Sequence, residues 1–316
     1  MKKLQEINSS SPTSASRQTG DRQVKIFEQS LFERWILFAQ VKEKSAQTYL
    51  KGIRQLAKYF AAKKISSPTR EDFLKYRDWL RKNFSVSTAN LYLVSARLFF
   101  EFLHTEQIIS NNPVLHLKGF RQVEGHKKDA LAPEDVKEIL AAIDTSTLTG
   151  KRNKAIFALM VGCGLRCVEV SRANVDDITR RGRKIFLYVQ GKGHDEKDAV
   201  VKIPDKVFEI IQEYLTSRGK AKGSESLFKS QRGRLTPETI SHIVKSCMRR
   251  AGYDSKRLTA HSLRHTCATN SAINGANLLN VKQMLRHKSI KTTQIYIEEL
   301  DRLDNDAEDR AAENLF

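Results

Sequence analysis

Between Phe27 and Glu106 the apolar residues recur at three- and four-residue steps, the spacing that gathers side chains on one helix face, and the span predicts four helices. In the last of them Leu91, Val94, Leu98 and Phe102 are expected to share a buried face. Ser45 precedes the second helix, Ser67-Pro68-Thr69 with Glu71 and Asp72 opens the third, and Ser85 or Ser87 opens the fourth. Such short oxygen-bearing side chains accept from the N–H groups that a first turn leaves without helical partners. Asn111-Asn112-Pro113 ends the block, and Leu131-Ala132-Pro133-Glu134 begins a new helix with proline in its first turn. Between Lys184 and Ile203 the period falls to two: Ile185, Leu187 and Val189 alternate with their neighbours and Ala199–Ile203 forms a second β-rich run, with Gly191 and Gly193 between them. That is a β-hairpin, or part of a small sheet, set among helices. Helical spacing returns over residues 206–215, 237–251, 261–273, 278–285 and 290–299.

The fold class expected is therefore mainly α with a small β-hairpin or sheet, in two domains. A polar tail over 1–22 lacks the apolar surface to offset the entropy of ordering and is expected to be flexible. A four-helix domain follows over 23–117, then a basic, unpatterned linker over 118–130, a mostly helical domain over 131–300 and an acidic tail over 301–316. Each domain is long enough to bury its own core.

Charge narrows the partners. The chain carries 55 Lys and Arg against 36 Asp and Glu, a net charge of +19, and an excess of that size attracts polyanions, nucleic acid foremost. Cys163, Cys167, Cys247 and Cys267 form neither a CxxC pair nor a regular framework, which fits reduced core thiols better than disulfides or zinc. The longest apolar stretch, Ala155–Leu165, falls short of the ~18 residues that a membrane span requires and reads as a buried helix. Met1-Lys2-Lys3 leads into Ser- and Thr-rich sequence with no apolar segment to act as a signal peptide, so a cytoplasmic, nucleoid-associated location is expected, with no membrane partner.

Five segments carry candidate chemistry. In Gly164-Leu165-Arg166-Cys167-Val168-Glu169, an arginine and an acid three residues apart follow an apolar helix, a pattern that serves either a surface ion pair or a guanidinium gripping a phosphate with an acid behind it. Gly191-Lys192-Gly193 puts a lysine at the hairpin turn. His261-Ser262-Leu263-Arg264-His265 sets His261 and Arg264 on one helical face, able to touch one phosphate together, with His265 pointing elsewhere. Met284-Leu285-Arg286-His287 ends a helix on a histidine, and Thr292-Thr293-Gln294-Ile295-Tyr296 lies on the next, with Ser289 as its cap. Taken singly, each residue has an ordinary structural explanation.

In order, the set GLRxxEV, GKG, HSLRHxxAT and RHxSIxTTxxY resembles the catalytic signature of the tyrosine recombinase, or phage integrase, family, and the helical block before the linker resembles that family's SAM-like core-binding domain. The resemblance implies a C-terminal catalytic domain in which Arg166 and Arg264 bind the scissile phosphate and Lys192 protonates the leaving 5′ oxygen. It implies further that His261 accepts a proton or binds phosphate, His287 hydrogen-bonds a phosphate oxygen, Tyr296 is the nucleophile and Glu169 supports. Double-stranded DNA as substrate, a homo-oligomer (a tetramer on two DNA sites), accessory proteins in some systems, and no metal or other cofactor follow from the same likeness. The family commonly has glycine where this chain has Arg286, which adds a charge near the phosphate. The stretch ahead of the helical block is too short for the arm-binding domain of the larger phage integrases, so the expectation is an architecture closer to the simpler two-domain, Xer-like or transposon-borne members. The tail from Asp301 holds six acids and two arginines, reversing the sign of the chain, and either docks on a neighbouring protomer, as such segments do in the family, or is merely solvated.

The chemistry these residues would perform is self-consistent. Attack on a phosphodiester builds negative charge on the non-bridging oxygens, which fixed guanidinium and imidazole donors stabilise. A phenol with an ordinary pKa near ~10 needs positive charge nearby to act as a nucleophile, and the alkoxide leaves only if protonated. Two other functions fit the same residues: a type IB-like topoisomerase that nicks and reseals one duplex, and a non-catalytic DNA-binding protein that uses its basic groups for phosphate contacts alone.

Overall fold

In a computed structural model the described residues are 26–121, 129–191, 196–220, 222–287, 289, 290, 293, 307–313 and 315. The N-terminal tail, most of the expected linker, Lys192, Tyr296 and nearly all of the helix expected over 290–299 lie outside them. The chain divides into two compact units, the division falling after Glu124.

The first unit contains α1 (Gln29–Ala39), α2 (Glu43–Ala62), α3 (Arg70–Asn83) and α4 (Val86–Thr105). Thr69 caps α3 in a reciprocal box with Asp72, and Ser85 accepts from the Thr88 N–H to start α4. Ser45 does not precede α2: the helix begins at Glu43, and the Ser45 N–H already donates to the carbonyl of Lys42 at 2.8 Å. The buried face of α4 also differs from the expected one. Tyr92, Leu93, Ala96, Phe99, Phe100 and Leu103 are buried with Phe102, whereas Leu91, Val94 and Leu98 are half-buried. This helix is apolar almost all round, so more than one stripe satisfies the three- and four-residue spacing, and the large rings decide which one faces inward. Phe99 meets Trp35 edge-on at 5.2 Å and Phe100 meets Phe73 at 4.9 Å. Gly52 lets α2 approach α4, since a Cβ there would stand 2.5 Å from Ser95 Oγ. The core continues past the helices to Val114, Leu117 and Phe120, and the Asn90 amide bonds both the carbonyl and the N–H of Phe120.

The second unit is built around α6 (Leu148–Cys163), whose residues Ala155–Met160 and Cys163 are all buried. A helix apolar on every side must be surrounded, and α8 (Asp205–Arg218), α9 (Pro237–Arg250), α10 (Ala260–Ile273) and a sheet do so. The sheet has three antiparallel strands in the order β1 (Ile178–Arg181), β2 (Lys184–Val189), β3 (Ala199–Ile203), so the expected hairpin gains a strand. The register pairs Ile185 with Ile203, Leu187 with Val201 and Val189 with Ala199 on the inward face. Around this frame lie α5 (Pro133–Ala142), the short α7 (Cys167–Arg172), a 3-10 turn over Val175–Asp177 and α11 (Leu278–Leu285). The two-residue strands β4 (Lys229–Ser230) and β5 (Gly233–Arg234) form a second hairpin, and α12 (Ala307–Ala312) stands near the C-terminus. The architecture is mostly helical with small antiparallel sheets. Among the described residues no helix is long and apolar enough to cross a membrane, and no group of three or more His, Cys, Asp or Glu is arranged to hold a metal ion. Burial pushes the thiols of Cys167, Cys247 and Cys267 up to about 11 and that of Cys163 to about 12, so all four behave as core groups rather than as thiolates.

Candidate active site

Two left-handed residues at helix ends assemble the site. The helix α6 stops at Gly164, whose φ of +62° turns the chain so that Arg166 becomes the N-cap of α7. The helix α11 stops at Arg286, with φ +55°, and His287 follows it. The buried guanidinium of Arg264, from α10, ties the two ends together by donating to the carbonyls of Gly164 and Leu285. A guanidinium carries five N–H donors, and those two bonds fix its plane.

Glu169 is the second organising group. It is 1% exposed and accepts three bonds: from Arg166 Nη1 at 2.8 Å, from the Arg166 backbone N–H at 2.8 Å and from Arg286 Nη2 at 2.7 Å. Burial acts to raise its carboxyl, but the Arg286 charge, the Arg166 N–H and the Arg166 charge outweigh it and hold the group below its ordinary range. Glu169 therefore stays ionised.

His287 occupies the centre of the positive field. Burial, then the charges of Arg264, Arg166 and Arg286, then His261, together lower its pKa to about 3, so the imidazole is neutral at physiological pH. Its Nδ1 lies 2.8 Å from the hydroxyl of Thr293, which is fully buried. The structure thus brings Arg166, Glu169, His261, Arg264 and His287 into one region from three separate segments of the chain. The two residues of α10 differ in setting: Arg264 is buried among carbonyls, whereas His261 is exposed beside it. His265 is buried. Lys192 and Tyr296 lie outside the described residues.

Several site residues had no signal in the sequence. Arg172, the last residue of α7, donates to the carbonyl of Gly191 at 3.0 Å, and Lys197 pairs with buried Asp177, so both flanks of the segment that carries Lys192 are tied to the α7 region. Arg286 was visible as an added charge, but not as a partner of Glu169. Thr293 was visible only as part of a motif; its bond to His287 gives it a place.

Both units have counterparts among known proteins. Residues 129–302 match the phage integrase family, and residues 29–109 match the N-terminal SAM-like domain of phage integrases. Tyrosine recombinase XerD of Oceanobacillus iheyensis is 34% identical over 222 residues, covering 67% of this chain and 71% of the relative. The solved structure of the XerH site-specific recombinase in its post-cleavage complex with palindromic difH substrate superposes with a TM-score of 0.70 at 21% identity, over 84% of this chain and 78% of the other. A lambda integrase dimer bound to a COC' core site superposes with a TM-score of 0.66 at 18% identity, over 84% of this chain and 76% of the other. At those identities the two structures establish a shared fold.

Proposed function

This chain belongs to the phage integrase, or tyrosine recombinase, family and is a site-specific DNA recombinase that cuts and rejoins DNA strands, and from that premise we propose that Tyr296 is its nucleophile, with Arg166, Lys192, His261, Arg264 and His287 acting on one phosphate. The observation that carries the assignment is the gathering of Arg166, Arg264, Arg286 and His261 around a neutral His287. Such a cluster is a preformed site for a phosphate whose charge increases during reaction.

In the step proposed, the Tyr296 oxygen forms a bond to phosphorus while the bond from phosphorus to the 5′ oxygen breaks. Lys192 gives its proton to that departing oxygen, and the phenolic proton passes to His261 or to water. Arg166, whose side chain is 31% exposed, offers its open edge to the phosphate, and Arg264, anchored through the carbonyls of Gly164 and Leu285, acts on the same oxygens. With the Thr293 hydroxyl donating to Nδ1, the His287 ring keeps its proton on Nε2 and donates that to a non-bridging oxygen. The product is a 3′-phosphotyrosyl ester and a free 5′ hydroxyl. One phosphodiester replaces another, so attack by a 5′ hydroxyl reverses the step and reseals a strand without ATP.

Double-stranded DNA is the proposed partner, supported by the net charge of +19 and by the DNA complexes of the structural relatives. Residues 23–117 are assigned to core binding and 131–300 to catalysis, acting as a homo-oligomer on paired sites, with the lambda integrase dimer as the analogy. A cytoplasmic, nucleoid-associated location accords with these roles.

The test begins with a randomised library of nicked duplexes, from which the full chain captures its preferred site as SDS-resistant adducts. Tyr296→Phe is expected to abolish the adduct and leave DNA binding intact. An adduct that survives the substitution refutes the assignment.

A further inference from the structure

The strand-cleavage reading assigns the half-buried Arg286 no contact with the phosphate. Arg286 stands in left-handed backbone, φ +55°, which glycine adopts freely and a residue with a Cβ adopts against steric resistance. Its side chain turns inward, 13% exposed, with Nη1 donating to the carbonyl of Met284 at 2.7 Å and Nη2 to Glu169 at 2.7 Å. Arg166 binds the other oxygen of the same carboxylate at 2.8 Å but remains 31% exposed. One carboxylate therefore serves two guanidinium groups, one facing inward and one reaching the surface.

The charge count gives the arrangement a purpose. A buried carboxylate paired with a single arginine makes a neutral pair, which orients the guanidinium but cancels its attraction for an anion. A second guanidinium on the same carboxylate makes the group of three net positive. We propose that Arg286 is a positioning residue of the cleavage site: it takes up the charge of Glu169, so that Arg166 is held in place while keeping its positive charge for the scissile phosphate. The inference rests on the cleavage reading above. Arg286 does not reach the phosphate; it acts through Glu169. It also adds to the field from Arg264, Arg166 and His261 that keeps His287 neutral.

The full chain and its Arg286→Gly and Arg286→Lys variants are compared on a nicked duplex taken from the capture library, by rate of adduct formation between pH 5 and 9. Glycine suits the backbone better, so a purely local, structural role predicts no loss. The expected result is an adduct rate at least tenfold lower for Arg286→Gly, with its acid limb moved to higher pH, and Arg286→Lys recovering most of the rate. Adding Glu169→Gln to Arg286→Gly is expected to recover part of it by removing the uncompensated charge. Should the glycine variant not fold, Arg286→Gln, of similar size and uncharged, takes its place. A glycine variant with native rate and pH profile overturns the proposal, as does equal loss in folded glycine and lysine variants. If the native chain forms no adduct, the cleavage reading fails instead. The electrostatic role is then read from NMR titration of the His287 ring, which Arg286→Gly is expected to shift upward and Arg286→Lys to leave in place; identical titration in the native and glycine chains overturns it.

Discussion

Replacing Gly164 with alanine perturbs the point where α6, Arg264 and α11 meet. The new Cβ would lie 2.6 Å from Leu285 Cδ2, in backbone with φ +62°, and Leu285 is fully buried with its carbonyl bound to Arg264. The left-handed conformation costs an alanine about 1–2 kcal/mol. Displacing a buried leucine in a packed core costs about 1–3 kcal/mol. A total near 3 kcal/mol, at about 2–4 °C per kcal/mol for a unit of this size, lowers the melting temperature of the C-terminal unit by about 6–12 °C. Gly182 supplies the control: its φ is +59°, but a Cβ there meets nothing within 4 Å, so Gly182→Ala bears the backbone term alone and lowers the transition by about 2–8 °C. Calorimetry of the full chain resolves the two. If Gly164→Ala melts no lower than Gly182→Ala, Leu285 yields freely and the close packing of Leu285 on Gly164 does not stabilise the junction.

Stability is expected to decline as pH falls below 6.5. His287 has a folded pKa of about 3 against an ordinary 6.5, so the unfolded chain takes up the proton first and gains on the native state between those values. Glu169, held below its ordinary 4.5, contributes stability that is present above that pH and lost as pH falls through its folded value. His287→Gln should flatten the slope between pH 6.5 and 4.5 in denaturant titrations, and an unchanged slope contradicts the assignment. Arg172→Ala removes the bond to Gly191, worth about 1 kcal/mol in stability, and is expected to slow adduct formation while leaving DNA affinity intact; weakened binding with native cleavage argues against a tether. DNA affinity should fall about a thousandfold or more between 50 and 200 mM salt if about six or more phosphate contacts form, and a flat response contradicts the role given to the basic surface.

Much of the fold was legible where one local rule dominates. The Thr69 box, Pro133 and Pro237 at first helical positions and the alternation of Ile185, Leu187 and Val189 each fix their element from nearby residues. The strand β1, Ile-Thr-Arg-Arg, was not legible, because only its pairing with β2 makes it a strand. The face of α4 was ambiguous because apolar residues surround that helix. At the site, the motif residues were recognisable by type and order, and Arg166, Glu169, His261, Arg264 and His287 do come together. What escaped was long-range: Arg286 reaching Glu169 across the fold, Arg172 holding Gly191, and Arg264 bonding two carbonyls rather than standing open beside His261. No spacing rule encodes contacts that depend on how two helix ends meet.

Proteolysis of the trapped protein–DNA adduct followed by mass spectrometry measures the bond at the centre of this account. The expected product is the peptide containing Tyr296 with a nucleotide joined through its 3′ phosphate to the phenolic oxygen. A nucleotide attached to any other side chain, or through a 5′ phosphate, contradicts it.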